Sequence, residues 1–506
     1  MIAALLLAAA AAAPQGRLVV LVVVDQLRYQ DLLWLAPELG PKGFAGLGQP
    51  APMRYETALT ETAVAHAVLS TGAYADLNGI PGNSFWKEGK FVEAVDDPSC
   101  PVWGSKSGRS AAALLAPTIG DALKLNTDGA SRVVAVSVKD RSALLLGGTS
   151  ADLAIWWEAE TGEMASTTCY APGPPGWVPR HPAEAFKDWV WTPSRPEALA
   201  RLLPEPRALG STPFQDIRAE FPHRVGQGKV DARLYKAIRN EPPGTTIALR
   251  TAREAVAALG LGDRGKTDLL TVALAAVDGV GHQFGTLSRE RTDAVLRTHD
   301  ELSTFLGELR RRLGKRLSVV LTADHGLMPG EPDERRLRVG QGGTIATDQL
   351  LPRLNHALEE ALGARPEGWV ANIESNVVSL RAPFSPKAIE VAVELLRREP
   401  GIWRAVPAAE IDQAEPFIRH AFFPGRSGQV LLVVRPLWTL KPSTYAADHG
   451  SVWNDDSLVP LLVQSADFRL RREPLFRATQ VAPTVAALLG TAPPSAALDA
   501  SAVERP

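Results

Sequence analysis

The stretch Leu18-Val-Val-Leu-Val-Val-Val24-Asp25-Gln26 decides the fold. A run of Leu and Val with no polar position cannot alternate between a core face and water. It therefore reads as a strand covered on both faces, as in a parallel sheet, with an aspartate at its end. Working outward, the pattern recurs. Residues 269–277 form an apolar run closed by Asp278, with His282 four positions on, and residues 318–323 run into Asp324 and His325. His449 stands in Asp448-His449-Gly450, ahead of the apolar residues 458–463. Open α/β sheets bind ligands beyond the carboxyl ends of their strands. Three carboxylates and three imidazoles gathered at one sheet edge suit two divalent ions, and the mixture of oxygen and nitrogen donors favours zinc.

Strand-like and helix-like segments alternate, which predicts an α/β fold with a doubly wound, mostly parallel sheet flanked by helices. Residues 132–138 read as one more strand, leading into Lys139-Asp140-Arg141. The stretches 84–130, 150–265 and 330–430 are rich in Pro, Gly and Trp or irregular, and are expected as insertions capping the sheet edge of a single catalytic domain over about 14–500. Gly260-Leu-Gly-Asp-Arg-Gly265-Lys266-Thr267 matches the phosphate-loop pattern literally. That motif needs a strand before the loop and a helix after it. Here a helix precedes and a strand follows, so a glycine-rich helix-to-strand turn is the reading.

The chain has 506 residues, 45% of them hydrophobic and 22% charged, with a formal charge of −2. That is an ordinary globular balance, without the basic field that nucleic acid or an anionic membrane would attract. Residues 1–13 are apolar and alanine-rich, too short to span a bilayer, and resemble the hydrophobic core of a secretory signal peptide removed on export to the periplasm or medium. The two cysteines, Cys100 and Cys169, form no metal-binding pair. In an exported chain they can bridge, and two separate thiols are the alternative. No repeat or heptad suggests self-association, and a monomer is expected.

A nucleophile can be sought in Thr60-Glu61-Thr62-Ala63-Val64-Ala65-His66, which opens a helical stretch. A threonine there can cap free N–H groups, or, beside a cation, ionise and attack phosphorus. Local sequence does not choose between Thr60 and Thr62. His66 reads as a helix-packing residue.

These segments, taken in order, resemble the alkaline phosphatase superfamily, and most closely its phosphate-irrepressible (PafA-like) alkaline phosphatase and type I phosphodiesterase branch. The likeness rests on Val22-Val-Val-Asp25-Gln, Thr62-Ala-Val-Ala-His66 with Ser70-Thr-Gly72, Gly79-Ile-Pro-Gly-Asn83 and Ser137-Val-Lys139-Asp-Arg141. It continues through Asp278-Gly-Val-Gly-His282, Thr322-Ala-Asp324-His325-Gly326 and Asp448-His449-Gly450-Ser451. The resemblance implies one zinc held by Asp278, His282 and His449, and a second held by Asp25, Asp324, His325 and the nucleophile oxygen. It selects Thr62 as nucleophile, gives Asn83 a phosphoryl-oxygen contact, and assigns Lys139 and Arg141 to phosphate oxygens. The implied activity is broad hydrolysis of small phosphate monoesters through a phosphothreonine. The alternative is a phosphodiesterase or nucleotide pyrophosphatase, which generally lacks the Lys/Arg pair. Two departures stand out: Leu59-Thr60-Glu61 replaces a proline-containing lead-in, and Asn78 stands where a histidine is expected.

Overall fold

A computed structural model describes residues 16–204, 220–329 and 342–506. The segment expected as a signal peptide lies outside the described residues. Among the described residues nine strands form the central sheet: β1 Leu18–Val24, β2 Ala51–Arg54, β3 Val133–Val136, β4 Leu153–Glu158, β5 Glu163–Ala165, β6 Asp268–Leu274, β7 Leu317–Thr322, β8 Leu458–Gln464 and β9 Phe476–Arg477. Their order is β9-β2-β8-β7-β1-β6-β3-β4-β5. β1 is central, paired in parallel with β6 and β7, and every one of its residues is buried. This is why its sequence has no polar position. The helices α1 Thr62–Thr71, α2 Asp140–Gly147, α3 Pro243–Leu259, α4 Ala276–Phe284, α5 Arg289–Leu313 and α6 Val481–Leu489 flank the sheet.

The α/β expectation holds, with three corrections. The sheet is mixed: β8 runs antiparallel to β7, with Leu462 opposite Leu321, so it is not a further parallel strand. Reversal brings the start of β8, rather than its end, to the edge where β1 and β7 finish. The apolar run 269–277 is not one strand, because β6 stops at Leu274 and α4 begins at Ala276. Asp278 therefore sits in the first turn of a helix. Its burial there produces the same unbroken apolar sequence as a covered strand.

The stretches expected as insertions also build the sheet. Residues 150–265 contain β4 and β5, a hairpin that buries Trp156 and Trp157, together with α3. Residues 343–441 fold around a hydrophobic cluster of their own. Four antiparallel strands, ordered Val370–Glu374, Val377–Leu380, Val430–Val434 and Ile402–Pro407, pack there with helices Thr347–Leu362 and Pro386–Arg398. The second helix buries Ala388, Ala392, Val393 and Leu396, one stripe at helical spacing. A smaller cluster joins this cap to the start of α1 through Ala58, Leu59, Val64, Val377 and Leu431.

Cys100 and Cys169 form a disulfide, their Cα atoms 5.4 Å apart. The glycine-rich segment 260–267 connects α3 to β6, and Gly260 takes the left-handed conformation at φ 61° that ends the helix, so it is a helix-to-strand turn. Among the described residues, no helix is long and apolar enough to cross a membrane.

Candidate active site

Chain geometry brings the dispersed residues together at one edge of the sheet. Asp25 follows the last residue of β1, and Asp324 and His325 follow β7. Asp278 and His282 lie one turn apart on α4, with His282 Nε2 3.1 Å from Asp278 Oδ1. His449 arrives on the loop before β8, its Nε2 3.7 Å from the same oxygen. His325 Nε2 lies 3.4 Å from Asp25 Oδ1 and 3.5 Å from Asp324 Oδ2, and the His325 and His449 rings stack with centroids 3.6 Å apart. Asp25, Asp324 and His325 offer ligand atoms within 4.8 Å of one another, as do Asp278, His325 and His449.

The donor set fits divalent cations. Asp25 Oδ1, Asp324 Oδ2 and His325 Nε2 are buried and have no hydrogen-bond partner among the described residues. Buried polar atoms are normally satisfied, so converging orphans of this kind make a cation cradle. The imidazoles are also oriented for it. Nδ1 of His282, His325 and His449 contacts the backbone oxygens of Ala447, Gly326 and Thr60, at 3.1, 3.0 and 2.7 Å. A carbonyl can only accept, so each Nδ1 carries the proton, and in the neutral ring each Nε2 presents its lone pair to the cluster.

Thr62 opens α1, is 1% exposed, and places Oγ1 3.4 Å from Lys139 Nζ. Thr60 faces elsewhere, donating its hydroxyl to the Ser451 oxygen at 3.1 Å. Asn83 Oδ1 accepts the Ala63 N–H at 2.9 Å. That contact orients the amide, and among the described residues no acceptor takes Asn83 Nδ2. Lys139 precedes α2, and Arg141 lies in its first turn with a buried Nε that has no hydrogen-bond partner among the described residues. Lys139 donates to Asp25 Oδ2 at 2.5 Å and Asp278 Oδ2 at 2.7 Å. An ammonium on a four-carbon stem goes to the strongest negative field within reach.

Burial works against every charge here. It pushes Asp324 well above the usual carboxylate range, and repulsion from Asp25 adds to this. Burial also raises Asp25 and Asp278, but the Lys139 ammonium reverses the balance and holds both below that range. Burial lowers Lys139 in turn, and the same two carboxylates more than restore it. Burial, with His325 and His282 nearby, holds His449 well below the normal imidazole value, and burial lowers His325. Both rings are thus neutral, the form that coordinates a metal. Burial opposes charge on His282 as well, but Asp278 and Asp448 lift it to about 9.

Three contributors escaped the sequence reading. Gln26 donates its backbone N–H to Asp324 Oδ1 at 3.1 Å and its Nε2 to Asp278 Oδ1 at 2.9 Å, tying the two clusters together. Its φ of 65° is rare for a residue with a side chain. Asp448 lies 3.4 Å from His282 Nδ1. Glu61 accepts the Asn83 N–H at 2.9 Å. Each is adjacent in sequence to a predicted residue, which was the only available signal. His66, in α1, is fully buried, with Nδ1 2.7 Å from the Thr62 oxygen and 3.5 Å from Asp324 Oδ2. Asn78 is structural, bonding the Ala73 oxygen and the Ile80 N–H.

Residues 19–451 match the family model for type I phosphodiesterase / nucleotide pyrophosphatase. The chain belongs to this family. It is similar to the alkaline phosphatase PhoV of Synechococcus elongatus, at 29% identity across 95% of this chain and 91% of that one. It is also similar to the alkaline phosphatase PhoK of Sphingomonas sp, at 29% identity across 91% and 85%. A crystal structure of the alkaline phosphatase PafA superposes with a TM-score of 0.87 at 26% identity, covering 96% of this chain and 98% of that one. The resemblance to the PafA-like branch of the alkaline phosphatase superfamily is borne out, and with it the α/β architecture.

Proposed function

We propose that this member of the family is a zinc-dependent phosphate monoester hydrolase that works through a phosphothreonine on Thr62. The observation that carries the reading is the position of Thr62 Oγ1 at the head of α1, 3.4 Å from the Lys139 ammonium, which also contacts Asp25 and Asp278 of the two ligand sets. The names of PhoV, PhoK and PafA as alkaline phosphatases support monoester hydrolysis. Asp25, Asp324 and His325 would hold one zinc with Thr62, and Asp278, His282 and His449 the other; nitrogen and oxygen donors without thiolate suit that metal. When bound, the ions supply Lewis acidity that makes a hydroxyl more acidic and offsets charge on a leaving oxygen.

The protein side of the reaction follows from its charges. Thr62 gives up its proton to solvent and its oxygen bonds phosphorus as the ester oxygen leaves. Water then cleaves the phosphothreonine, releasing inorganic phosphate and restoring the hydroxyl. The N-terminus of α1 presents its positive dipole end to the phosphoryl group. Asn83 Nδ2 and the Arg141 guanidinium donate to non-bridging oxygens, and Lys139 adds a mobile positive charge. A monoester has more charged oxygens than a diester and gains more from these cations. Small phosphate esters are the substrates.

Phosphate release from p-nitrophenyl phosphate, compared with bis(p-nitrophenyl) phosphate and repeated with chelator, tests this reading. Faster turnover of the diester would sink it in favour of the second reading, a phosphodiesterase or nucleotide pyrophosphatase, which the family description favours. We also propose that the chain is exported as a monomer with its signal peptide removed; the disulfide suits an oxidising compartment.

A further inference from the structure

The replaced lead-in, Leu59-Thr60-Glu61, has a counterpart in the cap. The strands Val370–Glu374 and Val377–Leu380 are joined by Ser375 and Asn376 alone, at φ 53° and 54°. Two left-handed residues make the tight hairpin turn whose twist matches its strands. Its tip points at the site. Ser375 Oγ donates to Glu61 Oε2 at 2.8 Å, across 314 residues of sequence, and that oxygen also accepts the Asn83 N–H at 2.9 Å. Asn83 closes the ring by accepting the Ala63 N–H through Oδ1 at 2.9 Å. Asn376, 7% exposed, donates to the oxygen of Gly450, the residue after His449.

Two observations argue that this approach is built rather than incidental. A Cβ on Gly82, the residue before Asn83, would stand 2.7 Å from Ser375 Oγ, so the contact requires a glycine there. Serine also bears a backbone conformation that a glycine would adopt without strain. The position therefore keeps its hydroxyl at a conformational cost.

We propose that Ser375 is a positioning residue for phosphate binding, acting through the Glu61 carboxylate to hold Asn83 where its Nδ2 meets a phosphoryl oxygen. This rests on the monoesterase reading of the site. The cap is then part of the catalytic apparatus, because it supplies the second bond to Glu61 and leaves the carboxylate one orientation. Without the hydroxyl, Glu61 and the Asn83 segment sample other arrangements, and phosphate affinity falls before the chemical step does.

The test is Ser375→Gly, which removes the hydroxyl while accepting the turn conformation. The expected result is an unchanged or raised melting temperature, with kcat/KM for p-nitrophenyl phosphate lowered about tenfold. The loss lies mainly in KM, and inhibition by inorganic phosphate weakens by the same factor. In an Asn83→Ala background the substitution should add nothing further. An equal loss in that background would overturn the proposal, as would a crystal structure of Ser375→Gly with Asn83 unmoved. A wild-type enzyme that releases no phosphate would instead refute the monoesterase reading, and the crystallographic comparison would still decide the role of Ser375.

Discussion

Lys139 and Asp25, 114 residues apart in sequence, form a buried ion pair with Nζ 2.5 Å from Oδ2. The same ammonium reaches Asp278 at 2.7 Å. Removing one partner from a buried charged group leaves the others uncompensated, at a cost of about 3–5 kcal/mol. In metal-stripped protein, Lys139→Ala should lower stability by an amount of that order, read by denaturant titration. With divalent metal restored, much of the loss should vanish, because cations then neutralise the carboxylates. Equal losses in both states would show that Lys139 is a structural cation only.

The same pair predicts a movement. A crystal structure with both clusters loaded should show Lys139 Nζ withdrawn from Asp25 and Asp278 and turned toward bound phosphate. Retention of both contacts in the loaded protein would contradict its assignment to substrate.

On the proposed reading, Arg141 and Lys139 are the basis for preferring monoesters. Arg141→Ala should lower monoester kcat/KM by about 10²–10³, the scale of losing one preorganised donor to developing charge, and diester turnover by less than about tenfold. Parallel losses on both substrates, measured side by side, would remove the case for a monoesterase.

Thr62→Ala should abolish turnover while metal content, measured by elemental analysis, stays close to that of the native enzyme. On the proposed reading six of the seven side-chain ligands remain, and only the attacking oxygen is gone. Thr60→Ala should be mild, since that hydroxyl is committed to Ser451. A reversed ranking would mean that the wrong threonine was chosen.

Asp456 offers a pH test on a carboxyl that is not itself a candidate metal ligand. It is fully buried, and burial raises its carboxyl to about 8 from an ordinary value of 3.8. An acid raised in this way is neutral in the fold. The unfolded chain ionises first, so its contribution to stability is intact below about 4 and is lost as pH climbs to about 8. Asp456→Asn should gain on the wild type across that window, by at most about 1.4 kcal/mol for each pH unit. Melting curves whose difference does not change with pH would refute the burial argument.

How much of this was legible beforehand depends on distance along the chain. The burial of β1 on both faces and the aspartates after β1 and β7 were readable, because burial removes polar positions locally and a polar residue marks where burial stops. The turn at Gly260 was readable because the order of helix and strand settles what a glycine-rich loop can do. The ordered motifs pointed to the family, since seven short segments in one sequence constrain each other. The boundary of β6 was not readable, because a buried helix start and a buried strand share one apolar pattern.

What remained hidden was non-local. Antiparallel pairing of β8 carries His449 to the edge where β1 and β7 end, and no residue near His449 encodes that partner. Local sequence does not separate Thr62 from Thr60; the resemblance selects Thr62, and what each hydroxyl meets is visible only across the fold. Glu61 reads as a mere departure from pattern until Ser375, from the other end of the chain, is placed against it. Apolar periodicity records whether a residue is covered; which surface covers it is settled only when the strands have paired.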